Sequence, residues 1–209
     1  MLTRRIQQAA LIFLIAGVVA GCGASRPVRY YVLDIGPSPV NSASPQFPVT
    51  LLVSRVTAAT LYRDDRLVYG SGTVQLGTYE YQRWAAPPAE MIQDMLVASL
   101  RSSGTYRSVS RISSSVRGDY VVRGHLYALD DVQAPGLAAR FSFQLELFDP
   151  KSGTTLWSSA YTHDEPVNGK TVSDVVEAQD RNVRAGLTQL TGELSQYFSS
   201  HPPQTTSGQ

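Results

Sequence analysis

Alternating apolar and polar positions are clearest between Ala138 and Asp149. The apolar members of this alternation are Phe141, Phe143, Leu145 and Leu147. A period of two places them on one face of a strand and the intervening residues on the other. The turn sequence DPKSG and the β-rich segment Thr154–His163 follow directly. This order predicts a β-hairpin.

Other segments also carry strand patterns. The nearly continuous apolar run Val49–Val56 is typical of a strand that is buried on both faces. Two Tyr- and Val-rich segments, Leu61–Gly72 and Val74–Pro88, predict a hairpin or a pair of short strands. Three further strands are predicted at Tyr30–Ile35, Tyr106–Ile112 and Asp119–Val132.

Helical spacing appears twice. Apolar residues three, four and eight positions apart predict an amphipathic helix over Pro88–Ser102, which Gly104 ends. Thr171 and Asp174 have the spacing of a capping box, and apolar residues then repeat with helical spacing to about Phe198. Strands before and after a central helix, with a long closing helix, predict an α/β sheet with helices packed on it. We expect one domain over residues 30–199 and a disordered tail over residues 200–209.

The beginning of the chain has the layout of a secretory signal. Arg4 and Arg5 precede an apolar stretch, Ala9–Ala20, and small residues lead into the only cysteine, Cys22. The stretch is shorter than the roughly 20 residues that a transmembrane helix needs. We therefore predict that residues 1–21 are a signal peptide.

A single cysteine can be a core residue, a nucleophile, half of an intermolecular disulfide or a site of covalent attachment. At the start of a leader the cysteine has no folded surroundings that would lower its pKa. Because it is the only cysteine, it cannot form a disulfide within the chain. Val19, Ala20 and Gly21 before it resemble a bacterial lipobox, after which the cysteine receives a diacylglycerol and an acyl chain. We predict that Cys22 is lipidated and that residues 22–29 form a lipidated tether. Gly23, in place of the Asp that marks inner-membrane retention in enterobacteria, favours the periplasmic face of the outer membrane.

Charge and residue types exclude several functions. Removal of the signal peptide would leave 16 of the 18 basic residues against 17 acidic ones, a balance that argues against nucleic-acid binding. His163, Asp164 and Glu165 are adjacent in a predicted loop and lack the spacing of a metal site. The pairs Asp64–Asp65 and Asp130–Asp131 point to opposite faces of an extended chain, and we assign both to turns. We predict no catalytic residue, no metal and no cofactor other than the covalent lipid.

One stretch combines arginine with aromatic residues, the types that dominate protein interfaces. Its members are Tyr62, Arg63, Tyr69, Tyr79, Tyr81, Arg83 and Trp84. Trp84 fits either a core position or an interface, whereas Tyr62 and Arg63 favour an interface. We therefore take Tyr62, Arg63 and Trp84 as the candidate partner interface.

Three motifs follow the lipobox in order: YYVLD, LYRDDRLVYG and YEYQRWAAPPAEMIQDMLVASL. Together they resemble the ABC-type transport auxiliary lipoprotein family, the PqiC-like lipoproteins, over essentially the whole mature chain. The matching positions are Tyr31, Leu33, Arg63, Tyr69, Trp84 and Pro87.

The resemblance implies a three-layer α/β domain with a mixed sheet, on an outer-membrane lipoprotein that faces the periplasm. It also implies a non-enzymatic accessory role in envelope lipid transport, with an inner-membrane transporter and an MCE-domain tunnel protein as partners. Several copies around the tunnel rim would make a homo-oligomer. Two alternatives stay open: a periplasmic carrier that holds an acyl chain in its own apolar cavity, and a hydrolase that uses His163 with a distant serine.

Overall fold

The computed structural model describes residues 26–34, 36, 44–71, 75–113, 117–133 and 136–203. The predicted signal peptide, Cys22 and the first part of the tether lie outside the described residues, as do residues 204–209 of the predicted tail. The strands are β1 (Arg29–Tyr31), β2 (Phe47–Val53), β3 (Thr57–Ala58), β4 (Arg66–Ser71), β5 (Gln75–Trp84), β6 (Tyr106–Arg111), β7 (Tyr120–Val132), β8 (Ala138–Asp149) and β9 (Thr154–Pro166). The helices are α1 (Pro88–Ser102) and α2 (Val172–Ser200), and a short 3₁₀ turn covers Thr60–Tyr62. Neither α1 nor α2 is both long and apolar enough to cross a membrane.

Among the described residues, strand β7 pairs with four other strands of the sheet. Its 13 residues extend over about 43 Å, which gives one edge enough length to pair with several short strands. That edge pairs in parallel with β2, then β3, then β4, while the opposite edge pairs antiparallel with β8 along most of its length. Beyond these neighbours, β6 pairs with β2, β5 with β4, β1 with β5, and β9 with β8. Parallel and antiparallel pairs occur together, which confirms the mixed sheet.

Both helices pack on the same side of this sheet. The hydroxyl groups of Ser99 in α1 and Thr191 in α2 lie 3.4 Å apart, so the two helices are neighbours. The capping box at Thr171 is formed, since its side chain accepts from the Asp174 backbone and the Asp174 carboxylate accepts from the Thr171 backbone. Gly104 ends α1 with a φ of 63°, a conformation that glycine adopts without steric cost. The predicted sheet with packed helices is confirmed.

The core lies between the helices and the facing side of the sheet. The alternate apolar residues of β8 are all buried there, as the period of two predicted. At the end of α2, Phe198 is 1% exposed and its ring lies within 5.7 Å of the rings of Phe47, Tyr106 and Tyr120. These contacts hold the last turns of α2 against β2, β6 and β7.

Several predictions differ from the structure. The first strand is short, because β1 pairs with β5 only over Arg29–Tyr31. Strand β9 continues to Pro166, so His163, Asp164 and Glu165 belong to a strand and not to a loop. Helix α2 reaches Ser200, into the predicted tail. The assignment of Asp130–Asp131 to a turn is wrong, because both residues lie inside β7 and are buried.

Candidate functional site

The side of β8 that faces away from α2 carries a ladder of polar side chains, and we call this side the open face. Arg140 binds Asp164 through two hydrogen bonds of 2.8 and 2.9 Å. The hydroxyl groups of Ser142 and Thr162 lie 2.8 Å apart. These contacts link β8 to β9 and explain why the charged end of β9 is an ordered strand.

A cavity of about 400 Å³ opens on this face next to β7. Its lining combines cationic, aromatic, amide and carboxylate side chains. The lining residues, which we call the groove, are Ser54, Arg55, Thr57, Arg123, Gly124, His125, Tyr127, Gln144 and Glu146. A surface of this composition suits a polar partner segment better than a lipid tail.

The groove side chains are held by contacts with one another. Thr57 Oγ1 lies 2.7 Å from His125 Nδ1, and the His125 and Tyr127 rings are 4.4 Å apart. The Tyr127 hydroxyl donates to Gln144 Oε1 at 2.6 Å, although the Tyr127 side chain is still 49% exposed. The Arg123 guanidinium lies 3.5 Å from the centre of the Phe148 ring. An exposed tyrosine and an arginine with fixed positions lose little side-chain entropy when a partner binds.

The sequence positions the groove through the alternation of β7. Gly124 and Leu126 face the core, so Arg123, His125 and Tyr127 face outwards. A side chain at position 124 would collide with the Phe143 ring, which explains why glycine occupies this inward position. Sequence reasoning missed this site, although the period of two from Arg123 to Tyr127 was visible.

Two tyrosine–aspartate pairs, in which both carboxylates are buried, lie where β7 meets β4. The Tyr62 hydroxyl donates to Asp130 Oδ1 at 3.2 Å, and the Tyr79 hydroxyl donates to Asp131 Oδ2 at 3.3 Å. Burial raises the pKa of Asp130 from 3.8 to about 6, against the lowering effect of the Tyr62 hydrogen bond and the Arg140 charge. Burial likewise raises the pKa of Asp131. The tyrosines therefore stabilise two carboxylates that the strand carries inside the fold.

The structure places the three predicted interface residues in different environments. Trp84 is 1% exposed and belongs to the hydrophobic core, and Tyr62 is 5% exposed because its hydroxyl reaches the buried Asp130. Buried side chains offer almost no surface to a partner, so the assignment of Tyr62 and Trp84 to an interface is corrected to the core. Arg63 is exposed, and its Nε donates to the Ala58 carbonyl at 3.0 Å. A partner contact at Arg63 stays a prediction, and Cys22 lies outside the described residues.

The cluster His163–Glu165 in β9 makes polar contacts at the protein surface. His163 Nε2 lies 3.6 Å from Glu165 Oε2, and Glu165 also accepts from Arg181 Nε at 3.3 Å. Within the described ranges, no group of three or more His, Cys, Asp or Glu side chains has the arrangement of a metal site. The cluster therefore links β9 to α2 through surface charges.

Known proteins provide an independent comparison. The fold is similar to that of a Xanthomonas campestris protein, with a TM-score of 0.73 at 23% identity over 83% of this chain and 99% of the other. An uncharacterised protein gives a TM-score of 0.64 at 16% identity over 81% and 99% of the two chains. A hypothetical protein of Chlamydia trachomatis gives 0.51 at 7% identity over 73% and 99%. At these identities the likeness concerns the fold, and no curated protein matches the sequence.

A family model identifies the chain more specifically. Residues 31–191 match the ABC-type transport auxiliary lipoprotein component. The match begins at Tyr31 in β1 and ends inside α2, so it includes every strand from β2 to β9 and the whole of α1. The family description is that of an auxiliary component of transport and not of an enzyme. The chain belongs to the ABC-type transport auxiliary lipoprotein component family.

Proposed function

We propose that this protein is a non-enzymatic accessory subunit of an MCE-type envelope lipid-transport system. Lipid on Cys22 would hold it at the periplasmic face of the outer membrane. Its partners would be an MCE-domain tunnel protein and, through that protein, an inner-membrane ABC transporter. The observation that carries the proposal is the family match over residues 31–191.

The groove is the surface that we assign to the partner. Arg123 and Tyr127 have the residue types that are enriched at interface hot spots, and their contacts with Phe148 and Gln144 hold them in place. Glu146 and Arg55 at the same cavity supply charges of both signs, which would select the orientation of a polar segment. A strand edge or a loop of a partner protein fits this lining.

The carrier alternative has less support from this cavity. An acyl chain is bound by mainly apolar walls, whereas every groove residue except Gly124 carries a polar or charged side-chain group. Leucine and phenylalanine side chains of β8 are instead used to pack α2 in the core. We therefore favour docking over lipid storage.

The anchor is tested by Cys22→Ala. The wild-type protein is expected to incorporate radiolabelled palmitate and to fractionate with the outer membrane, whereas Cys22→Ala is expected to remain unlabelled and uncleaved or soluble. Palmitate labelling that persists in Cys22→Ala would contradict the assignment. Wild-type protein in the inner-membrane fraction would contradict the outer-membrane location alone.

The partner surface is tested by site-specific photocrosslinking in intact cells. A photoreactive amino acid in place of Tyr127 is expected to capture an MCE-domain protein. The same amino acid in place of Thr188, which is exposed on α2, serves as the matched control. Capture from position 188 alone would place the contact on the helices, and capture of no MCE-domain protein from either position would contradict the proposed function.

A further inference from the structure

A row of exposed apolar side chains runs along β1 and the residues on either side of it. Val28 is 42% exposed, Tyr30 65% and Val32 61%. They are spaced two residues apart, as side chains on one face of a strand are, whereas Leu33, which follows Val32, is 1% exposed. We call Val28, Tyr30 and Val32 the β1 strip. In the described sheet, β1 is the end strand, so the strip lies at an edge of the domain.

The β1 strip is close in sequence to the proposed lipid attachment. Val28 lies six positions after Cys22, and a fully extended chain covers at most about 21 Å over that distance. This limit follows from covalent geometry alone. With lipid on Cys22, the edge that carries the strip therefore remains within reach of the bilayer surface.

The chemistry of the strip suits the zone of the phospholipid headgroups. Tyrosine is enriched at membrane–water interfaces, because its ring is apolar and its hydroxyl is polar. Arg26 and Arg29 flank Val28 and are exposed, so positive charge lies beside the apolar side chains. The nearby carboxylate of Asp34 is paired with Arg184 at 2.8 Å, whereas the side chains of Arg26 and Arg29 are exposed. Anionic phospholipids attract such residues.

We propose that the β1 strip lies against the phospholipid headgroups of the membrane that anchors Cys22, with Arg26 and Arg29 contacting anionic headgroups. This inference rests on the proposed lipidation. It goes further by assigning the edge of the domain that faces the bilayer, so the anchored domain has one orientation and does not move freely on its tether.

The test uses the full lipidated protein in vesicles of phosphatidylethanolamine and phosphatidylglycerol. Lipid blocks the sulfur of Cys22, so Tyr30→Cys introduces the only reactive thiol for an environment-sensitive fluorophore. Tyr127→Cys is the matched control, because Tyr127 is also an exposed tyrosine but lies in the groove. We expect a nitroxide lipid to quench the label at position 30 at least about twofold more than at position 127, as expected for a side chain among headgroups. Adding Val32→Asp to Tyr30→Cys is expected to reduce that quenching.

The outcomes distinguish a failure of the proposed membrane contact from a failure of the proposed lipidation. Mass spectrometry that finds no lipid on Cys22 would overturn both proposals. The protein could be lipidated and yet show equal quenching at the two positions, or none at position 30. Either result would overturn the membrane contact of the β1 strip and leave the proposed function intact. A signal at position 30 that disappears as the ratio of protein to lipid is lowered would show a second copy on this edge, which would also overturn membrane contact. Circular dichroism of each labelled variant checks that the fold is intact.

Discussion

Replacing Asp130 by asparagine should change how the stability of this protein depends on pH. Asp130 is 2% exposed, and the Tyr62 hydroxyl donates to its carboxylate. Asparagine keeps an oxygen that can accept this hydrogen bond but cannot ionise. The substitution therefore removes the cost of a buried negative charge and retains most of the local packing.

The direction of this pH dependence follows from the raised pKa of Asp130. Because the pKa in the folded state is about 6 and the ordinary value is 3.8, protonation favours the folded state. This contribution is fully present below pH 3.8 and is lost as the pH rises through about 6. The difference between the two values corresponds to about 3 kcal/mol, and about 2 to 3 kcal/mol of it falls between pH 4 and pH 7.5. The advantage of Asp130→Asn over the wild type should grow by that amount across this range.

The measurement is urea unfolding of wild type and Asp130→Asn at a series of pH values between 4 and 7.5. Asp149→Asn is the control, because hydrogen bonds from Lys151 and Ser152 lower the pKa of Asp149 and its contribution has the opposite sign. That contribution is present at neutral pH and is lost as the pH falls through the lowered pKa. A free-energy difference between wild type and Asp130→Asn that stays constant from pH 4 to 7.5 would refute the reasoning.

Four further substitutions test the packing by urea unfolding. Phe198→Ala should reduce the free energy of unfolding by about 3 to 5 kcal/mol, since it removes a fully buried ring, and a loss below about 1 kcal/mol would mean that the end of α2 is frayed. Thr171→Ala should cost about 1 kcal/mol through loss of the hydroxyl that accepts from the Asp174 backbone, and no loss would show that the cap is dispensable. Trp84→Ala should cost about 3 to 5 kcal/mol, whereas the exposed Arg63→Ala should change stability by less than about 1 kcal/mol. Comparable losses at positions 84 and 63 would contradict their assignment to core and surface.

Local signals were sufficient to predict several elements closely. Helix α1 begins and ends at the predicted residues, because proline fits its first turn and Gly104 adopts a positive φ after its last. Strand β8 also has its predicted bounds, since its alternation reflects burial of one face against α2. In both elements, the residues that determine the structure are adjacent in sequence.

Errors arose where distant residues decide the structure. The acidic end of β9 has the composition of a loop, but Asp164 is bound by Arg140 and Glu165 by Arg181. Tyr62 has the composition of an interface residue, but its partner Asp130 lies 68 positions away. A sequence pattern gives the faces of a strand without saying which face the helices cover. For the same reason, the alternation in β7 could not show whether Arg123, His125 and Tyr127 face solvent or a second core.

The sheet order keeps the two proposed contacts apart. From β1 to β7 there are three strand spacings, about 14 Å across the sheet. This separation exceeds the roughly 7 Å depth of the headgroup zone on one side of a bilayer. The β1 strip can therefore lie among headgroups while the groove remains in water. An anchored domain in that orientation would present Tyr127 to a protein that spans the periplasm, and the membrane and partner contacts would not compete for the same surface.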